Sequence, residues 1–161
     1  MSKLAAALHQ TGKAHAGAAC LLYSASIDYA RDPEGIERVE DQITYAFNGP
    51  YSLSLHYLLG LGIELMLKAV IVALDPSIDA KYLQNEIGHD LVKGLDEAER
   101  RGFASKAPHL RDIVELLRAP YKLHWFRYDR PKEMRLPGSF DQVVLMLSAV
   151  EREVAALAES G

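Results

Sequence analysis

The segment from residue 51 to 74 constrains the fold most, because it is apolar on nearly all of its helical faces. Such a helix must be covered by other elements, so it predicts the centre of a bundle. Its polar exceptions recur every four residues, which places them on one slowly drifting stripe: Ser52, His56, Gly60, Glu64 and Lys68. Glu64 and Lys68 can pair at this spacing. A structural ion pair is the favoured interpretation, because buried charges must be paired; the alternative is a polar seam that faces a ligand or a partner subunit.

The same segment is long enough to invite a membrane interpretation. However, the ionisable side chains of Glu64 and Lys68 near its middle would be expensive in lipid, so we expect no membrane contact. The apolar run at the N-terminus is too short for a secretion signal. Cys20, the one cysteine, cannot form an internal disulfide. These features predict a cytoplasmic protein.

Helical periodicity continues along the rest of the chain, and no segment shows the sustained alternation of a strand. We expect further helices over residues 3–31, 91–102, 108–118 and 139–159, and a short helical turn within 77–87. Asp90 has the side chain of an N-cap for the helix that begins at 91. The predicted fold is all-α, an up-and-down antiparallel helical bundle with additional short helices, in which residues 1–161 form a single domain.

The apolar stripes of the first and last helices predict which faces enter the core. In the first helix the stripe consists of Leu4, Leu8, Thr11, His15, Ala18, Leu22, Ala25 and Tyr29. Its many alanines, with Gly12 and Gly17, would also let another helix approach closely. In the last helix the stripe consists of Phe140, Val143, Val144, Leu147, Val150, Val154 and Leu157.

Residues 118–135 form a stretch in which basic and aromatic side chains alternate. It contains six Lys or Arg against two acidic residues, whereas the whole chain has a net charge of −4. This combination suits a polyanion with flat faces, such as RNA or a nucleotide. The predicted ligand-binding residues are Lys122, Trp125, Arg127, Tyr128 and Arg130. Composition alone favours a simpler interpretation, a loop whose cations balance an acidic surface and whose aromatics anchor it to the core.

Three segments occur in an order that resembles the HEPN superfamily, especially its small stand-alone members with a Gly-His-Asp-Leu motif. They are Gly62-Ile-Glu-Leu-Met-Leu-Lys68, Gly88-His-Asp-Leu91 and Phe126-Arg-Tyr128. The resemblance covers about residues 50–158. It implies a helical bundle, a homodimer and, as in many members, a metal-independent RNase with a composite site at the dimer interface. The family signature is an Arg followed, after four to six residues, by a His.

Arg118 and His124 match this signature with five residues between them. By resemblance, His124 would move a proton of the ribose 2′-hydroxyl or of the leaving oxygen. Arg118 would hold the phosphate and stabilise its developing charge. The residue after Arg118 is often polar in the family, but here it is Ala119. Because Pro120 disfavours helical geometry at Ala119, we expect Arg118 to end one helix and His124 to lie on the next.

The remaining candidates have supporting roles. Glu64 and Lys68 support the site from the central helix, and His89 is expected to order the turn before Asp90. His56 and Glu64 lack the second Glu-x-x-His set of helical-bundle di-metal proteins, so we expect no metal and no cofactor.

The favoured function is binding of RNA or a nucleotide through the basic-aromatic stretch, in a defence or toxin–antitoxin setting. The first alternative is a metal-independent RNase that uses Arg118 and His124. The second is a non-catalytic dimeric scaffold whose basic segment pairs with an acidic subunit. The expected partners are a second copy of the chain, RNA or a nucleotide, and an antitoxin-like protein.

Overall fold

The computed structural model describes residues 2–31, 41–125 and 133–159. These parts of the chain are helical and contain no strand, so the predicted all-α class is confirmed. The helices are α1 (Lys3–Arg31), α2 (Gln42–Asn48), α3 (Ser52–Leu74), α4 (Ala80–Tyr82), α5 (Leu91–Arg100), α6 (Leu110–Lys122) and α7 (Phe140–Glu159), with a π-helical turn at Leu83–Ile87 between α4 and α5.

Helix α3 is the centre of the bundle, as its apolar composition predicts. Fifteen of its 23 residues are buried, including the whole polar stripe from Ser52 to Lys68. By length and composition alone α3 could also cross a membrane. However, 67% of the apolar 18-residue segment within it is buried inside the protein.

Helix α1 packs closely against α3 in the opposite direction. A Cβ atom on Gly12 would lie 3.1 Å from the carbonyl oxygen of Gly62, and one on Gly62 would lie 3.2 Å from the Cβ of Ala16. The backbones therefore approach more closely than larger side chains would allow. The expected role of small residues in this contact is confirmed at Gly12, whereas Gly17 has open space beside it.

The predicted inward stripe of α1 is wrong. The buried face consists of Ala5, His9, Gly12, Ala16, Ala19, Ser26 and Ala30. Leu4, Leu8 and Leu22 are only partly buried, and Thr11, Ala25 and Tyr29 are exposed. Close approach to α3 selects the small side chains for the contact, so the larger apolar residues flank it. The buried histidine of this helix is His9, not His15.

Helix α7 buries the predicted face, and α5 and α6 each bury an apolar face as well. Leu91, Leu95 and Ala98 of α5 are buried, as are Leu110, Ile113, Val114 and Leu117 of α6. Five of the seven residues predicted for α7 are buried, and Val144 and Leu157 are partly buried. The segment before α3 contains a short helix that we did not predict, α2, which begins at the N-cap Asp41.

The expected break in α6 at Arg118 is also wrong. The helix continues through Pro120 to Lys122. Proline removes one backbone donor, but here it does so within the last turn, where the residue four positions earlier, Leu116, is partly exposed to water. Burial of Tyr121, 3% exposed, stabilises that turn against the local preference.

Tyr121 depends on the lack of a side chain at Gly60. A Cβ atom at Gly60 would lie 2.6 Å from Cδ2 of the Tyr121 ring, closer than atoms can pack. The ring also lies against Tyr57, with 5.7 Å between the centroids. Gly60 thus fixes the position of α6 relative to α3.

We predict that Gly60→Ala lowers the free energy of unfolding although alanine is the better helix former. The displaced Tyr121 ring should cost about 1–3 kcal/mol, the range for overpacking, against about 1 kcal/mol gained in helix propensity. Gly17→Ala is the matched control, because a Cβ at that helical position meets nothing within 4 Å; it should stabilise the fold. Urea unfolding of both variants tests this, and equal stabilisation would contradict the packing of Tyr121 on Gly60.

Candidate functional site

The carboxylate of Glu64 joins three parts of the fold. Glu64 lies on α3, and its side chain is 5% exposed. Its Oε1 accepts a hydrogen bond from Lys68 Nζ at 2.6 Å, and its Oε2 accepts from the Tyr121 hydroxyl of α6 at 2.7 Å. His89, in the turn before α5, places Nδ1 3.0 Å from the same Oε2. We call these four side chains the Glu64 network; its internal ion pair confirms the predicted pairing of Glu64 with Lys68.

The contact with Glu64 determines how His89 is presented. Because a carboxylate only accepts, Nδ1 must carry the proton, and the neutral ring then has an acceptor at Nε2. The His89 side chain is 57% exposed, although its partner carboxylate is buried. Gly88 permits the turn, since its φ is +59°. His89 is therefore oriented from the interior while it faces solvent, which goes beyond its expected role of ordering the turn.

Asp90 connects the same turn to α6. It caps α5 as predicted, accepting from the backbone N–H of Lys93 at 3.2 Å. It also accepts from Arg118 through Nε and Nη2, at 3.2 and 3.1 Å, and from Lys122 Nζ at 2.8 Å. Two cations thus share one carboxylate, which leaves a local positive excess.

The environment of Asp90 keeps it ionised. Burial of the carboxyl group by itself raises its pKa, but the hydrogen bonds from Lys122 and Arg118 outweigh burial and lower the pKa to about 2. The side chains of Arg118 and Lys122 are about half exposed, at 51% and 50%. Asp90 therefore fixes two cations at the surface without covering them.

The end of α6 places His124 beside this turn. The backbone N–H of Trp125 bonds the carbonyl of Pro120 at 2.9 Å, and that of His124 bonds Tyr121 at 3.2 Å. This pair of bonds is the Schellman arrangement, in which the residue after the C-cap is left-handed and is usually glycine. Here it is His124, with φ +59°. Its ring centroid lies 5.8 Å from that of His89.

The left-handed conformation of His124 is costly for a residue with a side chain, by about 1–2 kcal/mol. Such strain persists where the surrounding structure imposes it, and it is found most often at functional positions. His124 lies neither on α6 nor on a following helix, so the expected placement on a second helix is wrong. We call His89, Arg118, Lys122 and His124 the cation cluster.

Most of the predicted site residues thus lie together. Glu64, Lys68, His89, Arg118, Lys122 and His124 belong to the two connected groups, and Trp125 is partly buried directly after them. Arg127, Tyr128 and Arg130 lie outside the described residues. Two contacts were not predicted from the sequence: the hydrogen bond from Tyr121 to Glu64, and the pairing of Asp90 with Arg118 and Lys122.

Within the described parts of the chain, no three His, Cys, Asp or Glu side chains are grouped so as to hold a metal ion. No family model, curated protein or solved structure matches the chain. The function must therefore be inferred from the geometry of the site itself.

We predict that Glu64→Ala lowers the free energy of unfolding by about 3–5 kcal/mol, because it leaves the ammonium of Lys68 buried without its partner. The control is Glu86→Ala, a change of the same kind at a carboxylate that is 59% exposed; it should cost about 0.5 kcal/mol or less. Denaturant unfolding of both variants checks the difference. A cost for Glu64→Ala as small as that of the control would contradict the buried network.

A second prediction concerns acid stability. Since the pKa of Asp90 is lower in the folded than in the unfolded chain, its contribution is present above about pH 4. That contribution, on the order of 2 kcal/mol, is lost as the pH falls towards about 2. Asp90→Asn retains a good N-cap but has no carboxyl group to protonate. The stability of this variant should therefore fall less than that of the wild type between about pH 4 and about pH 2.

The comparison must separate Asp90 from two other groups. Burial lowers the pKa of His56 to about 4, so its effect lies mainly above this window. Hydrogen bonding from Arg100 lowers the pKa of Glu97 to about 2, within the window. Both groups are present in the wild type and in Asp90→Asn, so they cancel in the difference between the two unfolding curves. Parallel curves from pH 5 to 2 would contradict the ion pairing of Asp90.

Proposed function

We propose that this chain binds a phosphate-bearing ligand, RNA or a nucleotide, at the cation cluster. The observation that carries the proposal is the sharing of Asp90 by Arg118 and Lys122. One carboxylate neutralises one charge, so the pair retains a positive excess at the surface of an acidic protein. An excess of this kind attracts polyanions.

The hydrogen-bonding groups of this pair are incompletely used. Arg118 donates to Asp90 through Nε and Nη2, and its Nη1 has no partner among the described residues. Lys122 donates one bond to Asp90, although an ammonium has three donors. Charge-assisted bonds to phosphate oxygens would use these donors. Because Asp90 already holds both side chains in place, less conformational entropy is lost on binding.

The resemblance to the HEPN superfamily also supports ligand binding at the cation cluster, since the Arg–His signature of that superfamily falls on Arg118 and His124. It extends the proposal to a homodimer in a defence or toxin–antitoxin setting, with an antitoxin-like protein as a further partner. The basic-aromatic residues that follow, Arg127, Tyr128 and Arg130, would add contacts to the backbone and bases of RNA.

The second candidate function is metal-independent RNA cleavage, and the orientation of His89 by Glu64 favours it. Nε2 of His89 would accept the proton of a ribose 2′-hydroxyl, whose oxygen then attacks the adjacent phosphorus. As the bond from phosphorus to the 5′-oxygen breaks, the protonated ring of His124 would supply a proton to that oxygen. The products would be a 2′,3′-cyclic phosphate and a free 5′-hydroxyl. Arg118 and Lys122 would stabilise the charge on the phosphoryl oxygens.

Binding of labelled RNA and of a nucleotide panel at about 50 and 200 mM salt tests the proposal, because phosphate contacts weaken steeply over this range. We expect Arg118→Ala to lower affinity about tenfold, the loss of roughly 1.4 kcal/mol. Arg111→Ala is the matched control, because Arg111 lies on the same helix and also pairs with carboxylates, those of Asp96 and Glu99. Equal affinities of the two variants would contradict binding at the cation cluster.

The same assay separates the alternatives. His124→Ala should weaken binding, whereas His109→Ala removes a histidine in the same left-handed conformation at the opposite end of α6, its N-cap, and should not. Cleavage that survives a chelator and is lost in both His89→Ala and His124→Ala would establish the RNase. Absence of both binding and cleavage at low salt would reject both functions and leave the dimeric scaffold.

A further inference from the structure

His89 also borders a cavity of about 230 Å³. Its walls are mainly apolar and come from α1, α3, α4, the π-helical turn and the two residues that follow it. The lining residues are Leu4, Leu8, Leu65, Lys68, Ala80, Leu83, Gln84, Gly88 and His89. His89 therefore borders both this cavity and the cation cluster.

Lys68 adds a nearly buried hydrogen-bond donor to this apolar cavity. Its side chain is 10% exposed, and its ammonium group donates to Glu64 Oε1 at 2.6 Å. An ammonium has three donors, and the other two have no partner among the described residues. Buried donors of this kind are expensive to leave without an acceptor. A ligand oxygen in the cavity would satisfy them, while Glu64 already balances the charge of Lys68.

We propose that this cavity holds the base of a nucleotide, with the ring carbonyl towards Lys68 and the phosphate at the cation cluster. The proposal rests on the function proposed above and names the ligand class more closely. Apolar side chains such as Leu8 and Leu83 can cover the faces of a flat ring, as in other pockets that hold an unstacked base. The exposed amide of Gln84, at the rim, offers both a donor and an acceptor to the edge of the ring.

The chemistry of Lys68 selects among the bases. An ammonium can only donate, so it matches a keto oxygen such as that of uracil or guanine. Adenine has no carbonyl oxygen. It presents an amino group at the corresponding position, which cannot accept from Lys68, so only its ring nitrogens offer an acceptor. The site therefore binds keto bases in preference to adenine.

Calorimetric titration of the full chain with uridine, guanosine and adenosine 5′-monophosphates, and with ribose 5-phosphate, tests this inference. Ribose 5-phosphate carries the phosphate and sugar without a base. We expect the two keto nucleotides to bind about tenfold more tightly than ribose 5-phosphate, the low end of what a stacked base contributes. Adenosine monophosphate should resemble ribose 5-phosphate.

Variants that fill the cavity should remove this advantage and leave ribose 5-phosphate unaffected. Leu8→Trp fills it from α1, and Leu21→Trp is the matched control, because Leu21 lies on the same helix and is 74% exposed. Ala80→Trp also fills the cavity. Because Ala80 is exposed at the rim, this variant should still fold. Lys68→Met combined with Glu64→Gln, which avoids a buried carboxylate without a cation, should remove the preference for keto bases.

The outcomes distinguish this inference from the proposed function. Equal affinity of the wild type for ribose 5-phosphate and all three nucleotides would overturn the base site while phosphate binding stands. A keto preference that survives both Leu8→Trp and Ala80→Trp would also overturn it. If no compound binds, ribose 5-phosphate included, the proposed function fails and the base site fails with it.

Discussion

The carboxylate of Glu64 is buried in the middle of the most apolar helix of this protein, and the arrangement around it depends on how that charge is satisfied. A lone carboxylate in such a place would cost several kcal/mol. Here an ammonium one turn away on α3 neutralises it, while a hydroxyl from α6 and an imidazole from the turn before α5 donate to the same oxygen. These hydrogen bonds fix the position of α6 and of the turn before α5 along α3.

The surface chemistry follows from this interior arrangement. The turn that brings His89 to Glu64 continues directly into Asp90, which holds Arg118 and Lys122 on the next helix. The last turn of α6, fixed by Tyr121, then ends in the left-handed His124, beside His89. The buried charge of Glu64 and the strained backbone of His124 thus accompany an arrangement in which two cations and two imidazoles have fixed positions.

Local sequence signals predicted the parts of the fold that local forces determine. The apolar run of α3 indicated its central place, its stripe at intervals of four indicated the pairing of Glu64 with Lys68, and Asp90 was recognisable as an N-cap. The same signals failed where contacts distant in sequence decide the outcome. Pro120 favours a helix break, because proline lacks a backbone N–H and disfavours helical geometry at the residue before it. Burial of Tyr121 nevertheless keeps the helix intact to Lys122. The stripe on α1 was misassigned because close approach to Gly62 favours the smallest side chains over the most hydrophobic ones.

The candidate site shows the same division. Its residue types were identifiable, because cations and aromatics alternate in one stretch of an acidic chain, which also contains His124. Their partners were not, since His89 and Glu64 are 25 positions apart and Asp90 and Arg118 are 28 apart. No periodicity encodes such pairs. The additional role of His89 and the sharing of Asp90 therefore emerge only from the tertiary structure.

The most direct test of the Glu64 network is the tautomer of His89, measured by long-range nitrogen–proton NMR correlation at about pH 8.5, where an ordinary imidazole is neutral. The structure predicts that the proton resides on Nδ1 of His89, because that nitrogen faces Oε2 of Glu64 at 3.0 Å. It also predicts that Glu64→Gln shifts the tautomer equilibrium of His89, whereas Glu86→Gln does not. A proton on Nε2 of His89 in the wild type, unchanged by Glu64→Gln, would show that the buried carboxylate does not orient this ring.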